Sequence, residues 1–134
     1  MPKNWVALSL LVFSVSLGID QARGDDQADL CDSARTHDML ECAQGEFEAE
    51  NKKLNNLYKK LRHKAGRGSK TEEALMKAQK TWLSFRDATC QYEALAYEGG
   101  TLYGAVAISC QTEQTRRRNE VLEGYLSCTS NDCP

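Results

Sequence analysis

Residues 39–69 read MLECAQGEFEAENKKLNNLYKKLRHKAGRGS. Apolar side chains recur through this stretch at Met39, Ala43, Phe47, Leu54, Leu57, Tyr58, Leu61 and Ala65. Steps of three and four gather them on one stripe of an amphipathic helix. Thr36 or Ser33 is the candidate N-cap, and Gly66 and Gly68 supply a C-cap and a turn. Beyond that turn, Ser69 or Thr71 caps a second helix, whose first turn carries Glu72 and Glu73, the sign that the helix dipole favours there. Its apolar stripe reads Leu75, Ala78, Trp82, Phe85, Thr89, Tyr92 and Ala96, and it stops at Gly99-Gly100. A third helix runs from about Leu102 to Leu126, with Val106, Cys110, Val121, Leu122 and Tyr125 as candidate core. The prolines are Pro2 and Pro134, so none interrupts the helices. Short connections make neighbouring helices antiparallel, and about 25 helical residues extend about 38 Å. The expected fold is all-α: an elongated antiparallel three-helix bundle.

The chain of 134 residues has room for one domain. Lys3 precedes the apolar run Trp5–Leu17, which is too short to span a bilayer comfortably and fits a secretory signal peptide. Ala22 and Gly24 place cleavage after Gly24. The organisation is therefore a signal peptide over 1–24 and a helical domain with a short Cys-containing tail over 25–134, periplasmic or secreted, with no transmembrane anchor after cleavage. The first cysteine, Cys31, follows an acidic spacer and makes a poor lipidation site. A net charge of −2 argues against general nucleic-acid binding. Nothing in the sequence sets the oligomeric state.

All six cysteines lie beyond the signal, and an even count in an exported chain reads as disulfide-bonded. In an antiparallel hairpin, residues equidistant from the turn sit at equal height. Cys90 and Cys110 flank the Gly99-Gly100 turn symmetrically, which favours a Cys90–Cys110 bridge. Cys31 then pairs with Cys42, and Cys128 with Cys133. The rival connectivity joins Cys42 to Cys90 and Cys31 to Cys110. No spacing suits a metal site, and no cofactor is expected.

The same height rule places Arg86 opposite Glu50 and Asn51 of the first helix, and Arg118 at the level of Trp82. Gln79, Trp82, Arg86 and Glu93 share a stripe with Cys90, so Gln79, Trp82, Arg86, Glu93 and Arg118 form a candidate polar brace between helices. An arginine on a core-facing stripe needs a carboxylate or several carbonyl acceptors. The Arg116-Arg117-Arg118 and Lys59-Lys60 runs are basic patches that read first as solvated faces, or as contacts for anionic glycan, lipid head groups or protein.

Catalytic signals are weak. His37 and His63 stand among charged residues. There is no nucleophile elbow and no phosphate-cradling glycine loop. Asp87 and Glu93, six apart, lie about 120° out of phase on one helix and share no face. The chain reads as a non-enzyme.

Three stretches carry a family likeness: Thr36-His37-Asp38-Met39-Leu40-Glu41-Cys42; Leu54-Asn55 with Tyr58; and Gln79-Lys80-Thr81-Trp82-Leu83-Ser84-Phe85-Arg86-Asp87 with Cys90. Together they resemble the bacterial lysozyme-inhibitor LprI N-terminal domain family. Gly99-Gly100-Thr101, Cys110, Thr115, Arg118 and Leu122 follow in that family's order, and the likeness covers about residues 31–124. It implies an exported, helical, disulfide-bonded envelope protein in which Cys31, Cys42, Cys90 and Cys110 are the family cysteines. Cys128 and Cys133 look like additions. The implied activity is stoichiometric inhibition of a lysozyme by protein–protein binding. The alternative is a periplasmic or secreted interaction module of the cell envelope with no lysozyme target. An inhibitor presents a projecting loop to its target's cleft. The candidates are the acidic leader Asp25–Asp29, the Cys128–Cys133 loop and, foremost, the turn Gly99, Gly100, Thr101, Leu102, Tyr103 and Gly104, where Tyr103 would be an aromatic anchor.

Overall fold

The computed structural model describes residues 31–129 and Cys133. The signal peptide expected over 1–24, the acidic leader Asp25–Asp29, and Ser130, Asn131, Asp132 and Pro134 of the tail lie outside the described residues. Three α-helices follow one another: α1 (Thr36–Ala65), α2 (Lys70–Ala94) and α3 (Tyr103–Ser127). A 3₁₀ turn, Leu95–Tyr97, extends α2. They form an all-α antiparallel bundle, and no strand occurs among the described residues.

The helix ends follow local chemistry. Thr36 is already inside α1, and neither it nor Ser33 is the N-cap; Arg35 takes that position without a side-chain cap bond. Asp38 is the acidic residue of the first turn. It is buried, sits beside the N-terminal partial charge, and accepts from Arg35 Nε at 2.7 Å. Between α1 and α2, Gly66 and Gly68 adopt φ of 84° and 74°, a region that penalises residues with a Cβ. Ser69 is the N-cap of α2 and joins the two helices. Its Oγ accepts from Glu72 N at 3.0 Å and donates to Ala65 O at 2.7 Å. Glu72 is buried, and its carboxylate accepts from Gly68 N at 2.6 Å and from Arg62 Nη2 at 2.6 Å.

The core is made chiefly by α1 and α3. Leu54, Leu57 and Leu61 pack against Leu122, with Tyr58, Trp82, Tyr125 and Leu126 around them. The inner face of α3 is small and polar: Ala105, Thr112, Thr115 and Asn119 are buried with Leu122, whereas Val121, expected in the core, is exposed. The threonines are satisfied within their own helix. Thr112 Oγ1 donates to Ile108 O at 2.9 Å and Thr115 Oγ1 to Gln111 O at 2.6 Å.

The expected face of α2 needs correction. Its buried residues are Glu72, Gln79, Arg86, Cys90 and Ala94. Phe85 and Tyr92, placed in the core stripe by the sequence pattern, are 57% and 76% exposed, and Ala78 is also exposed. At 3.6 residues per turn, the apolar stripe sits about a quarter-turn from the buried seam. Cys90 sets that rotation: its bond to Cys110 turns the Gln79–Arg86–Cys90 line towards α3.

The disulfides are Cys31–Cys42, Cys90–Cys110 and Cys128–Cys133, and no described cysteine is free. The first ties the entry segment to α1. The second links α2 to α3, and the third closes the tail. No described helix is long and apolar enough to cross a membrane.

Candidate functional site

Antiparallel packing sorts the charge of this chain into two ends. One end gathers the start of α1, the end of α2, the 95–102 turn and the start of α3. Exposed carboxylates there come from Asp32, Glu41, Glu46, Glu48, Asp87, Glu93 and Glu98. From Thr36 to Asn51 and from Asp87 to Thr115 the sequence has no Lys or Arg. The two arginines nearest this end are neutralised. Arg35 pairs with Asp38 at 2.7 Å, and Arg86 pairs with Asp87 at 2.8 Å. The Asp38 carboxyl is held below its usual pKa, first by a hydrogen bond from Ser33 and then by Arg35, so its pair with Arg35 persists into acid. The opposite end carries Lys59, Lys60, Arg62, Lys64, Arg67 and Lys70.

The acidic end also exposes apolar side chains. Met39, Tyr92, Leu95 and Tyr97 all face solvent. A shallow hollow of about 340 Å3 lies beside the turn, between Ala96–Glu98 and Gly100–Leu102. Gly99 has φ of 76°, a conformation that favours glycine, and a Cβ on Gly100 would make a tight 3.1 Å contact with the Tyr97 carbonyl oxygen.

The expected binding turn divides into two parts. Gly99, Gly100 and Thr101 are exposed. Leu102, Tyr103 and Gly104 are half-buried, and Gly104 packs α3 against Leu40 of α1. The exposed aromatic rings of this end are therefore Tyr92 and Tyr97 rather than Tyr103. Sequence reading passed over both because Tyr92 fell on the apolar stripe of α2 and Tyr97 on no stripe. The available signal was the absence of cations around them.

Below this end lies the polar brace. Trp82 stands between two guanidinium groups, with Arg86 Cζ 5.3 Å and Arg118 Cζ 5.6 Å from its ring centroid. Arg86 is buried and also lies 5.3 Å from the Phe47 ring of α1. Its Nε donates to Asp87 Oδ1 at 2.9 Å and its Nη1 to Thr115 Oγ1 at 3.3 Å. Arg118 Nε donates to Gln79 Oε1 at 3.2 Å. Gln79, Trp82, Arg86 and Arg118 are thus brought together. Glu93 is exposed and takes no part, because the buried line continues in steps of four from Arg86 through Cys90 to Ala94. Glu50, the expected partner of Arg86, is engaged by α3 instead. It accepts from Arg116 Nε at 3.3 Å and from the Asn119 amide at 2.8 Å.

Residues 31–122 match the family model of the lysozyme inhibitor LprI. An uncharacterized protein of Rhizobium meliloti (strain 1021) is 27% identical over 105 residues, covering 70% of this chain and 76% of the relative. No solved structure matches the chain. The family match covers α1, α2 and most of α3 with the cysteines of two bridges, Cys31–Cys42 and Cys90–Cys110, and this chain belongs to the lysozyme inhibitor LprI family.

Proposed function

We propose that this protein is exported, cleaved after Gly24, and inhibits a lysozyme by one-to-one binding through the acidic end of the bundle. Family membership supports the activity. The observation that carries the choice of surface is the clustering of exposed carboxylates, Tyr92, Tyr97 and the Gly99–Thr101 turn at one end. Animal lysozymes are basic, so an acidic surface is steered towards them and like-charged partners are disfavoured. Tyrosine supplies amphipathic contact area at low entropic cost, and such side chains dominate binding energy at interfaces. A lysozyme cuts glycan with two carboxylates in an open cleft. An inhibitor seated over that cleft works by excluding substrate and needs no catalytic group of its own. Three disulfides fit an oxidising compartment.

The test is a titration of the oxidised protein against a chicken-type lysozyme acting on cell-wall substrate, with a reduced and alkylated control. A saturable loss of activity near one-to-one, absent from the control, is the expected result. Tyr92→Ala together with Tyr97→Ala should weaken it at least tenfold. No inhibition up to about 100 μM would mean binding weaker than about −5.5 kcal/mol, and the lysozyme reading would fall for that target.

A further inference from the structure

At the basic end the three helices do not close on one another. An open groove of about 650 Å3 runs between the last turn of α1, the first turns of α2 and the last turns of α3. Its apolar surface comes from Leu61, Leu75 and the Tyr125 ring, and the exposed Ala74 and Ala78 of α2 are small enough to leave that surface accessible. The volume lies within the roughly 300–1,000 Å3 typical of small-molecule sites.

The charge of the lining is one-sided. Lys64, Lys70 and Arg118 line the groove, and no carboxylate does. Lys64 is engaged, donating to Tyr125 O at 2.8 Å and Cys128 O at 2.9 Å at the end of α3. Arg35, Arg62, Arg86, Arg116 and Arg117 each pair with a carboxylate. Among the described residues Arg67 and Arg118 have none, and Arg67 is exposed to solvent whereas Arg118 is not. It is half-buried, with its Nε on Gln79 and its guanidinium against Trp82. Burial lowers its pKa, and Tyr125 alone works the other way. A half-buried cation without an anion is costly to hold. An anion entering beside it removes that cost and forms charge-assisted hydrogen bonds. The apolar surface next to it calls for a hydrocarbon chain.

We propose that this groove binds a single-chain amphiphile with a carboxylate head, the head at Arg118 and the alkyl chain along Leu75, Leu61 and Tyr125. Lys70 makes the mouth positive and draws the anion in. The site is separate from the acidic end and does not depend on lysozyme inhibition.

Calorimetric titration of the oxidised protein with dodecanoate, below its micelle concentration, tests the proposal. Dodecyltrimethylammonium, of equal chain length and opposite charge, is the comparison. Saturable one-to-one binding of dodecanoate, at least tenfold tighter than the cationic analogue, is expected. Arg118→Gln should weaken dodecanoate at least tenfold. Because Arg118 also braces Trp82, a second variant is needed that leaves the brace intact. Ala78→Trp adds bulk at an exposed helix position, fills the groove, and should abolish binding while circular dichroism and thermal melting stay unchanged. Absence of dodecanoate binding, equal binding of the cation, or unaltered binding by folded Ala78→Trp would each overturn the proposal.

Discussion

Asn119 shows how a single polar side chain can position two helices. It is fully buried on α3, and its amide donates to both the carbonyl and the carboxylate of Glu50 on α1, at 3.0 and 2.8 Å. Removing this donor leaves Glu50 Oε2 without it, while Arg116 still reaches Oε1. Asn119→Ala should therefore cost about 1–3 kcal/mol in urea unfolding, and a loss within experimental error would show that Arg116 alone satisfies Glu50. Glu72 carries a pH dependence. Its carboxyl is held below the usual glutamate value, first by the Gly68 backbone N–H and then by Arg62. A folded-state pKa below the unfolded one gives stability that is fully present above the unfolded value, about 4.3, and is lost as pH falls through the folded value. Melting temperature should drop on acidification below about pH 4.5. Glu72→Gln should melt lower than the parent at neutral pH, with the gap narrowing in acid. A constant gap between pH 3 and pH 7 would contradict this origin.

Among the elements, α2 separates apolar pattern from burial. Phe85 lies on its apolar stripe yet is exposed, whereas Leu54 of α1 is fully buried. Phe85→Ser should change stability by no more than about 0.5 kcal/mol, and Leu54→Ala should cost about 2–5 kcal/mol. Equal losses in chemical denaturation would mean that α2 is turned the other way. The disulfide that sets its rotation spans 20 residues of sequence, against 5 for the tail bridge. Loop-closure entropy then predicts a loss of about 3 kcal/mol for the Cys90→Ser, Cys110→Ser pair and about 2 kcal/mol for the tail pair. Removing the helix bridge should also let α2 rotate, which amide exchange along α2 would report.

For the whole molecule, the consequence of the fold is a separation of charge along its length. The basic and acidic side chains of residues 31–129 nearly balance, so net charge alone would steer the bundle little. Antiparallel packing converts that balance into an acidic end and a basic end. The proposed inhibition should therefore slow in association at least tenfold when ionic strength rises from about 0.05 M to about 0.5 M. Glu93→Lys with Glu98→Lys should reproduce that slowing at low salt, whereas Lys59→Glu with Lys60→Glu, at the far end, should not. Stopped-flow mixing with lysozyme would distinguish them.

Helix number, the turns at Gly66–Gly68 and Gly99-Gly100, and the heights of paired residues were all legible in the chain. Each follows from local chemistry or from counting along helices of constant rise. The Cys90–Cys110 bridge and the level of Arg118 against Trp82 came from that one-dimensional rule. Rotation about the helix axis obeys no such rule. α2 carries an apolar stripe and a Gln79–Arg86–Cys90 stripe about a quarter-turn apart, and periodicity alone ranks the apolar one first. The polar stripe is buried because α3 offers Cys110 and Thr115 to it and α1 offers Phe47, contacts whose value exists only once the helices have met. For the same reason Glu50 went to Asn119 and Arg116 rather than Arg86, and Tyr92 and Phe85 were left at the surface.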